Sequence, residues 1–305
     1  MHEPVRQWPA LPLDEWSDTR DTLQLWTQIV GKVRLANEPL AAHWWNVTLY
    51  PTVRGLTTSL MPHSSGASFQ IDFDLRSDRL DVTTITGDSA SIALRSMPMV
   101  DFYSQLMQLL DKLGVGTPIW PVPVEIPGAT PFPDDRVHSA YDPTHARRFW
   151  QALVEVQRVL KVFRSDFVGK VSPVHLFWGG LDLAVTRFSG RPAPPYPRSV
   201  PHCGPNVMRE AYSHEVSSAG YWPGGDDEGV FYSYAYPEPD GFRSANVRPA
   251  AAHYDADLAE FVLPYAAVRA ADHPDRALLE FLHSTYDAAA TLGGWDRAAL
   301  ERHWR

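Results

Sequence analysis

At 305 residues the chain is long enough for one large domain or two ordinary domains. Its 36 acidic and 27 basic residues leave a net charge of -9, and the basic residues are scattered along the chain, so nucleic acid is not an expected partner. Proline is frequent, at 27 residues, but 44% of the chain is hydrophobic, which excludes a disordered protein and indicates rigid connections within a folded one.

The cysteine content and the hydropathy indicate in which cellular compartment the protein is located. Cys203 is the only cysteine, so no disulfide can form within the chain, which is typical of a reducing environment. The N-terminal residues lack the charged and apolar regions of a signal peptide, and no apolar run is long enough to span a membrane. We therefore expect a cytoplasmic protein that does not associate with membranes.

The first half of the chain predicts a helix, several strands and a second helix. The first helix covers about residues 19–36, with Asp18 as its N-cap. Alternating apolar and polar residues then predict strands in "WNVTLY", "FQIDFDL", "RLDVTT" and "SIALR". Pro98 is placed to begin the second helix, and Gly114 is placed to end it.

A proline-rich connection follows, and the same order of elements then begins again. Asp142 and Pro143 are suited to the N-cap and first position of a helix over about residues 143–165. Strands are predicted in "SHEVSSAGYW", "VFYSYAY" and "EFVLPY", and a last helix over about residues 274–292. A short helix in "NVMREAY" is expected to change to a strand near Ser213.

The segment "VHLFWGGLDLAVTRF" predicts a β-hairpin that turns at Gly179 and Gly180. A two-residue turn pairs Trp178 with Leu181 and brings His175 and Asp182 together as diagonal neighbours on the opposite face. The fold class is therefore α+β, with two helix-flanked antiparallel β-sheet units in tandem, either separate or joined into one body. The predicted division is an N-terminal unit over 1–117, a proline-rich connection over 118–142 and a C-terminal unit over 143–305.

Three stretches carry a resemblance to a known family: "SPVHLFWGGLDLAVTRFSGR", "MREAYSHEVSSAGYWPGG" and "FYSYAYPEP". On these the chain resembles an uncharacterised bacterial family of about 300 residues, known only as a domain of unknown function. The resemblance implies a bacterial cytosolic protein, and it assigns no reaction, ligand or catalytic residue.

Candidate acid-base and metal-binding residues cluster between positions 175 and 215. We expect catalytic roles for His175, Asp182, His214 and Glu215, and metal-binding roles for Glu210, His214 and His202. If residues 207–216 are helical, Glu210 and His214 lie one turn apart on one face, whereas a strand spreads them apart. The alternative interpretation is a structural polar network with solvated charges.

Aromatic residues form the second candidate site. Tyr232, Tyr234 and Tyr236 share one face of a predicted strand, and Trp178 and Trp222 lie in nearby segments, so these five are the predicted ligand-binding residues. The alternative is a packed face on which each hydroxyl finds a backbone partner.

Nucleotide-binding loops and the nucleophile elbow of α/β-hydrolases are absent from the sequence, and no motif specifies a cofactor. The first hypothesis is a cytosolic small-molecule-binding protein with an aromatic-walled pocket in the C-terminal half. The second is a hydrolase-type enzyme, metal-dependent or not, that uses His175 or His214 with nearby carboxylates. A third is an interaction module whose proline-rich segment over 191–205 meets a partner protein.

Overall fold

The computed structural model of the protein describes residues 8–225 and 227–303. Within these ranges the α-helices are α1 (Leu13–Asn37), α2 (Met99–Lys112), α3 (Pro143–Ser165), α4 (Pro205–Ala211), α5 (Tyr265–Arg269), α6 (Pro274–Leu292) and α7 (Arg297–Leu300). Short 3-10 helices cover Ala42–Val47, Phe132–Asp134 and Phe242–Ser244. None of the helices in the described residues is both long and apolar enough to cross a membrane.

The strands form two antiparallel sheets. The N-terminal sheet contains β1 (Tyr50–Pro51), β2 (Gly55–Thr57), β3 (Met61–Pro62), β4 (Ser68–Asp74), β5 (Arg79–Thr84) and β6 (Ser89–Ala93), in the order β1-β2-β4-β5-β6 with β3 beside β4. The C-terminal sheet contains β7 (His175–Phe177), β8 (Asp182–Pro192), β9 (His214–Trp222), β10 (Val230–Tyr236), β11 (His253–Asp255) and β12 (Glu260–Pro264), in the order β11-β12-β10-β9-β8-β7. The predicted α+β class with two antiparallel units is confirmed.

The two sheets meet at the edges formed by β1 and β7. Leu49 and Leu176 exchange two backbone hydrogen bonds, at 3.0 and 2.8 Å, across this junction. Helix α3 packs on strands of both sheets, and α6 packs on β9 and β10. The buried apolar side chains of both halves accordingly form one hydrophobic cluster.

Local sequence signals placed most helices correctly. The predicted cap of α3 is confirmed, because the Asp142 carboxylate accepts hydrogen bonds from the backbone N–H groups of Thr144 and His145. Helix α6 has the predicted bounds, and β9 begins at His214, next to the expected change of structure. Helix α1 begins six residues before the predicted start, behind Pro12 instead of Asp18.

The predicted hairpin has the expected register, because Leu176 lies opposite Leu183 and Phe177 lies opposite Asp182. Paired glycines in a two-residue turn are expected to have positive φ angles, and this expectation is wrong here. The left-handed residue of the turn is Leu181, with φ 62°, and neither glycine of the pair has a positive φ.

The predicted strand in "WNVTLY" is also wrong over most of its length. Residues Ala42–Val47 form a 3-10 helix in which His43 and Trp44 have left-handed backbone angles, and only Tyr50 enters a strand. The alternation of apolar residues arises because this segment folds over the C-terminal sheet, with His43 buried between Phe188 and the backbone of α4.

Candidate functional site

A cavity of about 590 Å³ lies against one face of the C-terminal sheet. Its floor consists of side chains from β8, β9 and β10. Its roof is assembled from the end of α1, the 3-10 helix over Ala42–Val47, the connection after α2, the proline-rich segment before α4, and α4 itself. The aromatic lining residues are Trp44, Trp45, Trp120, Phe177, Trp178, Phe188, Tyr196, Tyr212, Tyr232 and Tyr234.

The floor is polar at several points because alternate residues of a strand face the same side. Asp182 and Thr186 of β8 face the cavity, as does Ser218 of β9. The Tyr232 hydroxyl donates to Asp182 Oδ2 at 2.5 Å, and the Thr186 and Ser218 hydroxyls are 2.8 Å apart. The floor therefore presents oriented hydrogen-bonding groups among aromatic rings.

The roof is fixed to the buried helix α1 by one glutamine. Gln28 Nε2 donates to the Val124 carbonyl at 3.0 Å, and the Val124 N–H donates to Gln28 Oε1 at 2.8 Å. The next residue, Glu125, donates its N–H to the Pro201 carbonyl at 2.8 Å, which joins the connection to the proline-rich segment. These bonds place Glu125, which has a left-handed φ of 64°, on the cavity wall.

The carboxylate of Glu125 lies over the hairpin turn, and this contact requires Gly179. A Cβ atom at Gly179 would lie 2.0 Å from Glu125 Oε1, so a larger residue there would displace the Glu125 carboxylate from this position. The position that a Cβ atom of Gly180 would occupy is 3.2 Å from Asp182 Oδ1 and 3.6 Å from Glu125 Oε2. The two carboxylates therefore border the same small volume.

Both carboxyl groups hold a proton more readily than usual. Burial, together with the charge of Asp182, raises the pKa of Glu125 to about 7. Burial also raises the pKa of Asp182 to about 6, although the hydrogen bond from Tyr232 opposes this shift. Glu125 is nevertheless an exposed residue by its accessible surface, so solvent reaches this carboxylate. Near neutral pH the pair can both donate and accept a proton.

A single lysine supplies the positive charge of the cavity. Lys32 is 5% exposed, and its Nζ lies 4.8 Å from the Trp120 ring centroid and 5.9 Å from that of Trp178. It forms no ion pair or hydrogen bond with any residue in the ranges 8–225 and 227–303. Burial lowers the pKa of Lys32 to about 8, against a smaller opposing effect of Cys203.

Trp178 is the predicted aromatic residue that the fold fixes most firmly. Its indole occupies the space beside Gly31 of α1, where any Cβ atom would clash, and its Nε1 donates to the Val47 carbonyl at 2.7 Å. Trp178 therefore joins α1, the 3-10 helix and the hairpin at one wall of the cavity.

The other four predicted ligand-binding residues lie in three different places. Tyr232 and Tyr234 line the cavity beside Trp178, whereas Tyr236 lines a second cavity of about 620 Å³ and donates its hydroxyl to the carbonyls of Pro194 and Pro195. Trp222 packs against Gly224 and lines neither cavity.

Among the predicted catalytic residues, only Asp182 lines the cavity. His175 is fully buried beside Thr48, and its Nε2 has no hydrogen-bond partner. Burial, followed by the charge of Arg34, lowers the pKa of His175 to about 3, so the ring is neutral. Glu215 lies on the opposite face of β9, where it pairs with Arg191 at 2.6 Å.

The predicted metal-binding residues do not come together. His214 is near His43, with 5.8 Å between the ring centroids, while His202 lines the cavity near Trp120. In the part of the chain that the structure describes, no group of three or more His, Cys, Asp or Glu side chains is arranged to hold a metal ion. Glu210, His214 and His202 therefore do not belong to such a group among the described residues.

Sequence reasoning missed Lys32 and Glu125. One signal for Lys32 is present: residues 22–31 contain no charged residue, which indicates a helix buried on all sides, and Lys32 is the first charge after that run. Glu125 carries no such signal, because its position depends on contacts with residues far away in the chain.

The fold and the cavity define the class: an α+β protein whose two linked antiparallel sheets and helices enclose an aromatic-walled cavity with an acidic pair and one buried lysine. A family model described as a family of unknown function, DUF5996, matches residues 8–302, and the chain belongs to this family. Neither the curated proteins nor the solved structures include a match to the chain.

Proposed function

We propose that the protein binds a small molecule in the cavity above the C-terminal sheet. The observation that supports this function is a cavity of about 590 Å³ that many aromatic rings surround and a few polar groups enter. Ligand sites of proteins are typically ~300–1,000 Å³ and have the same composition of apolar walls with few oriented polar groups. The floor comes from the C-terminal unit, but residues before 142 supply much of the roof.

The lining indicates what the ligand looks like. The rings of Trp44, Trp45 and Trp120 offer faces for a flat apolar body. Lys32 is suited to an oxygen-bearing group of the ligand, and the pair Glu125 and Asp182 is suited to a group that donates hydrogen bonds. We infer a compact amphipathic molecule with polar groups at separate positions.

Enzymatic function is the second candidate, and the acidic pair favours it. A carboxyl group whose pKa is near 7 can serve as a general acid, while a neighbouring carboxylate serves as a base. In this proposal the hydrolase-type chemistry is carried out by Glu125 and Asp182, in place of His175 and His214.

A bacterial, cytoplasmic origin is part of the proposal. The single cysteine, Cys203, is a free thiol, as is usual in a reducing compartment. We propose a small-molecule ligand as the partner and neither nucleic acid nor membrane, in keeping with the net charge of -9.

Titration with 1-anilinonaphthalene-8-sulfonate, an aromatic anion whose fluorescence rises in apolar sites, tests the binding function. We expect saturable binding at about one equivalent by the folded protein, and at least tenfold weaker binding by Ala184→Phe, which fills the cavity from its floor. Trp120→Ala removes an exposed wall residue and should weaken binding without affecting folding.

The matched control is Ala256→Phe, which adds the same ring at an exposed turn outside the cavity. Near-ultraviolet circular dichroism verifies that each variant is folded. Absence of saturable binding by the folded wild type, or equal binding by all four proteins, would refute a ligand site in this cavity.

A further inference from the structure

Lys32 differs from every other lysine of the chain. The sequence has four lysines, and Lys112, Lys161 and Lys170 are exposed, whereas Lys32 is buried in the cavity wall. A buried ammonium group without a counter-ion is costly, and among the described residues Lys32 has none. The neutral fraction of the Lys32 amine is therefore larger than that of an ordinary surface lysine.

The backbone places an acidic group on the same wall as this amine. Gln28 lies one helical turn before Lys32 on α1 and holds the backbone of Val124, so the following residue, Glu125, is fixed close to that face of the helix. Lys32, Glu125 and Cys203 line the same cavity, and after the larger effect of burial the charges of Glu125 and Lys32 shift the pKa of the Cys203 thiol in opposite directions.

We propose that Lys32 forms an imine with an aldehyde or ketone ligand, and that Glu125 supplies the proton for the step in which water leaves. The proposal rests on the proposed function and names the chemical class of the ligand as a carbonyl compound with an apolar, flat body.

The reaction balances without an oxidant or a reductant. The lone pair of neutral Nζ attacks the carbonyl carbon, a C–N bond forms, and the carbonyl π electrons move to oxygen, which takes up the proton that nitrogen loses. The carboxylic acid of Glu125 then protonates the hydroxyl of this carbinolamine, the C–O bond breaks and water departs. The nitrogen lone pair forms the C=N bond as water leaves, the second nitrogen proton passes to the Glu125 carboxylate, and the products are one neutral imine, one water molecule and the regenerated carboxylic acid.

An apolar cavity favours attack on the carbonyl carbon by the Lys32 amine over attack by the Cys203 thiol. Burial raises the pKa of Cys203, so the thiol is a poorer nucleophile there, while the same environment gives more of the neutral amine at Lys32. At pH 8 the neutral fraction of Lys32 is roughly a hundredfold that of an exposed lysine. The titratable groups that also line this cavity are Glu125, Asp182, His43, His202, Cys203, Tyr196, Tyr212, Tyr232 and Tyr234.

Reductive trapping with benzaldehyde and sodium cyanoborohydride at pH 7.5 tests the proposal, and peptide mass spectrometry locates the benzyl group. We expect the adduct on Lys32 to form at least tenfold faster than on Lys112, Lys161 or Lys170 in the same molecule. The α-amino group, whose ordinary pKa is about 8, is the reference for an amine of similar basicity.

Three variants separate chemistry from structure. Lys32→Arg keeps a positive charge and should lose the adduct, whereas Lys112→Arg is the matched control and should keep it. Glu125→Gln should slow the trapping at Lys32 at least tenfold and flatten its pH profile between 6 and 8. Folding of each variant is verified by circular dichroism.

The naphthalene dye distinguishes the two possible failures. If the dye binds and no adduct accumulates on Lys32, the imine proposal is refuted while the binding function stands. If the dye does not bind in the folded protein, the proposed function itself fails. Equal labelling of all four lysines also refutes the special reactivity of Lys32.

Discussion

The two sheets differ in what covers their second face. In the N-terminal sheet, β4 and β5 bury Phe69, Ile71 and Val82 on one side, and the other side faces water. In the C-terminal sheet the side away from α3 and α6 is covered as well, but its roof stands off from the floor and leaves a cavity.

Polar residues on these two faces consequently have different roles. Asp72 lies opposite Asp81 on the outer face of the N-terminal sheet, where solvent screens both charges. Asp182 lies under a roof, where burial raises its pKa and Tyr232 is its hydrogen-bond donor. A polar strand face that is covered by other elements is thus a stronger indication of a site than the same pattern on an open face.

Removing a large aromatic ring should give the largest difference in stability between the two sheets. Phe69→Ala, on the filled side of the N-terminal sheet, should reduce the free energy of unfolding by about 3–5 kcal/mol, because it opens a hole in a packed core. Phe177→Ala, on the cavity wall, should cost only about 1–2 kcal/mol, because space is already present there. Urea denaturation measures the free energy of unfolding of both variants. Equal losses would show that the surroundings of Phe177 are packed as tightly as those of Phe69, which would contradict a cavity there.

Replacing the buried lysine should stabilise the protein. Lys32→Met removes a charge that the folded state disfavours, and should raise the free energy of unfolding by about 1–3 kcal/mol at pH 7. Because the folded pKa is about 8 and the unfolded value is 10.5, the penalty is complete below pH 8 and disappears as the pH rises toward 10.5. Urea titrations at pH 7 and 10 should therefore show a shrinking difference, and a constant difference would contradict the assigned burial.

Replacing the acidic residues should change the free energy of unfolding least. The pH dependence of that change should be opposite to the one expected for Lys32→Met. The pKa of Asp182 is raised from 3.8 to about 6, so its stabilising protonation is complete below pH 4 and lost as the pH rises through 6. Asp182→Asn should consequently stabilise by about 1 kcal/mol at pH 8 and by less at pH 4. Asp72→Asn, on the open face, should change stability by under about 0.5 kcal/mol at either pH. Thermal unfolding at the two pH values checks both substitutions.

Local chemistry explains which parts of the fold the sequence predicts. Asp142 and Pro143 define the start of α3 because an N-cap and an N1 proline act on neighbouring backbone groups. The register of the β7–β8 hairpin follows from alternation along a short segment, and Leu181, not a glycine, takes the left-handed position.

The candidate site was predicted only in part, because most of it is built by distant contacts. Strand alternation indicates Asp182, Tyr232 and Tyr234, and nearness in sequence indicates Trp178. The same reasoning also selects Tyr236 and Trp222, which do not line this cavity. Glu125 acquires its position from its neighbour Val124, whose backbone is hydrogen-bonded to Gln28. Gln28 lies 96 residues before Val124 in the sequence, and no local pattern encodes such a contact. His43 was missed for the same reason, since its partners are carbonyl groups of Glu210 and Ala211 in α4.

The hydrogen bond from Gln28 to the Gly179 carbonyl joins positions that are 151 residues apart. Closing a loop of this length costs conformational entropy. The floor of the cavity comes from the neighbouring strands β8–β10, but the enclosed space also requires α1, from the other end of the chain, to pack against them. A ligand in this cavity therefore binds and stabilises only the chain in which both halves are assembled.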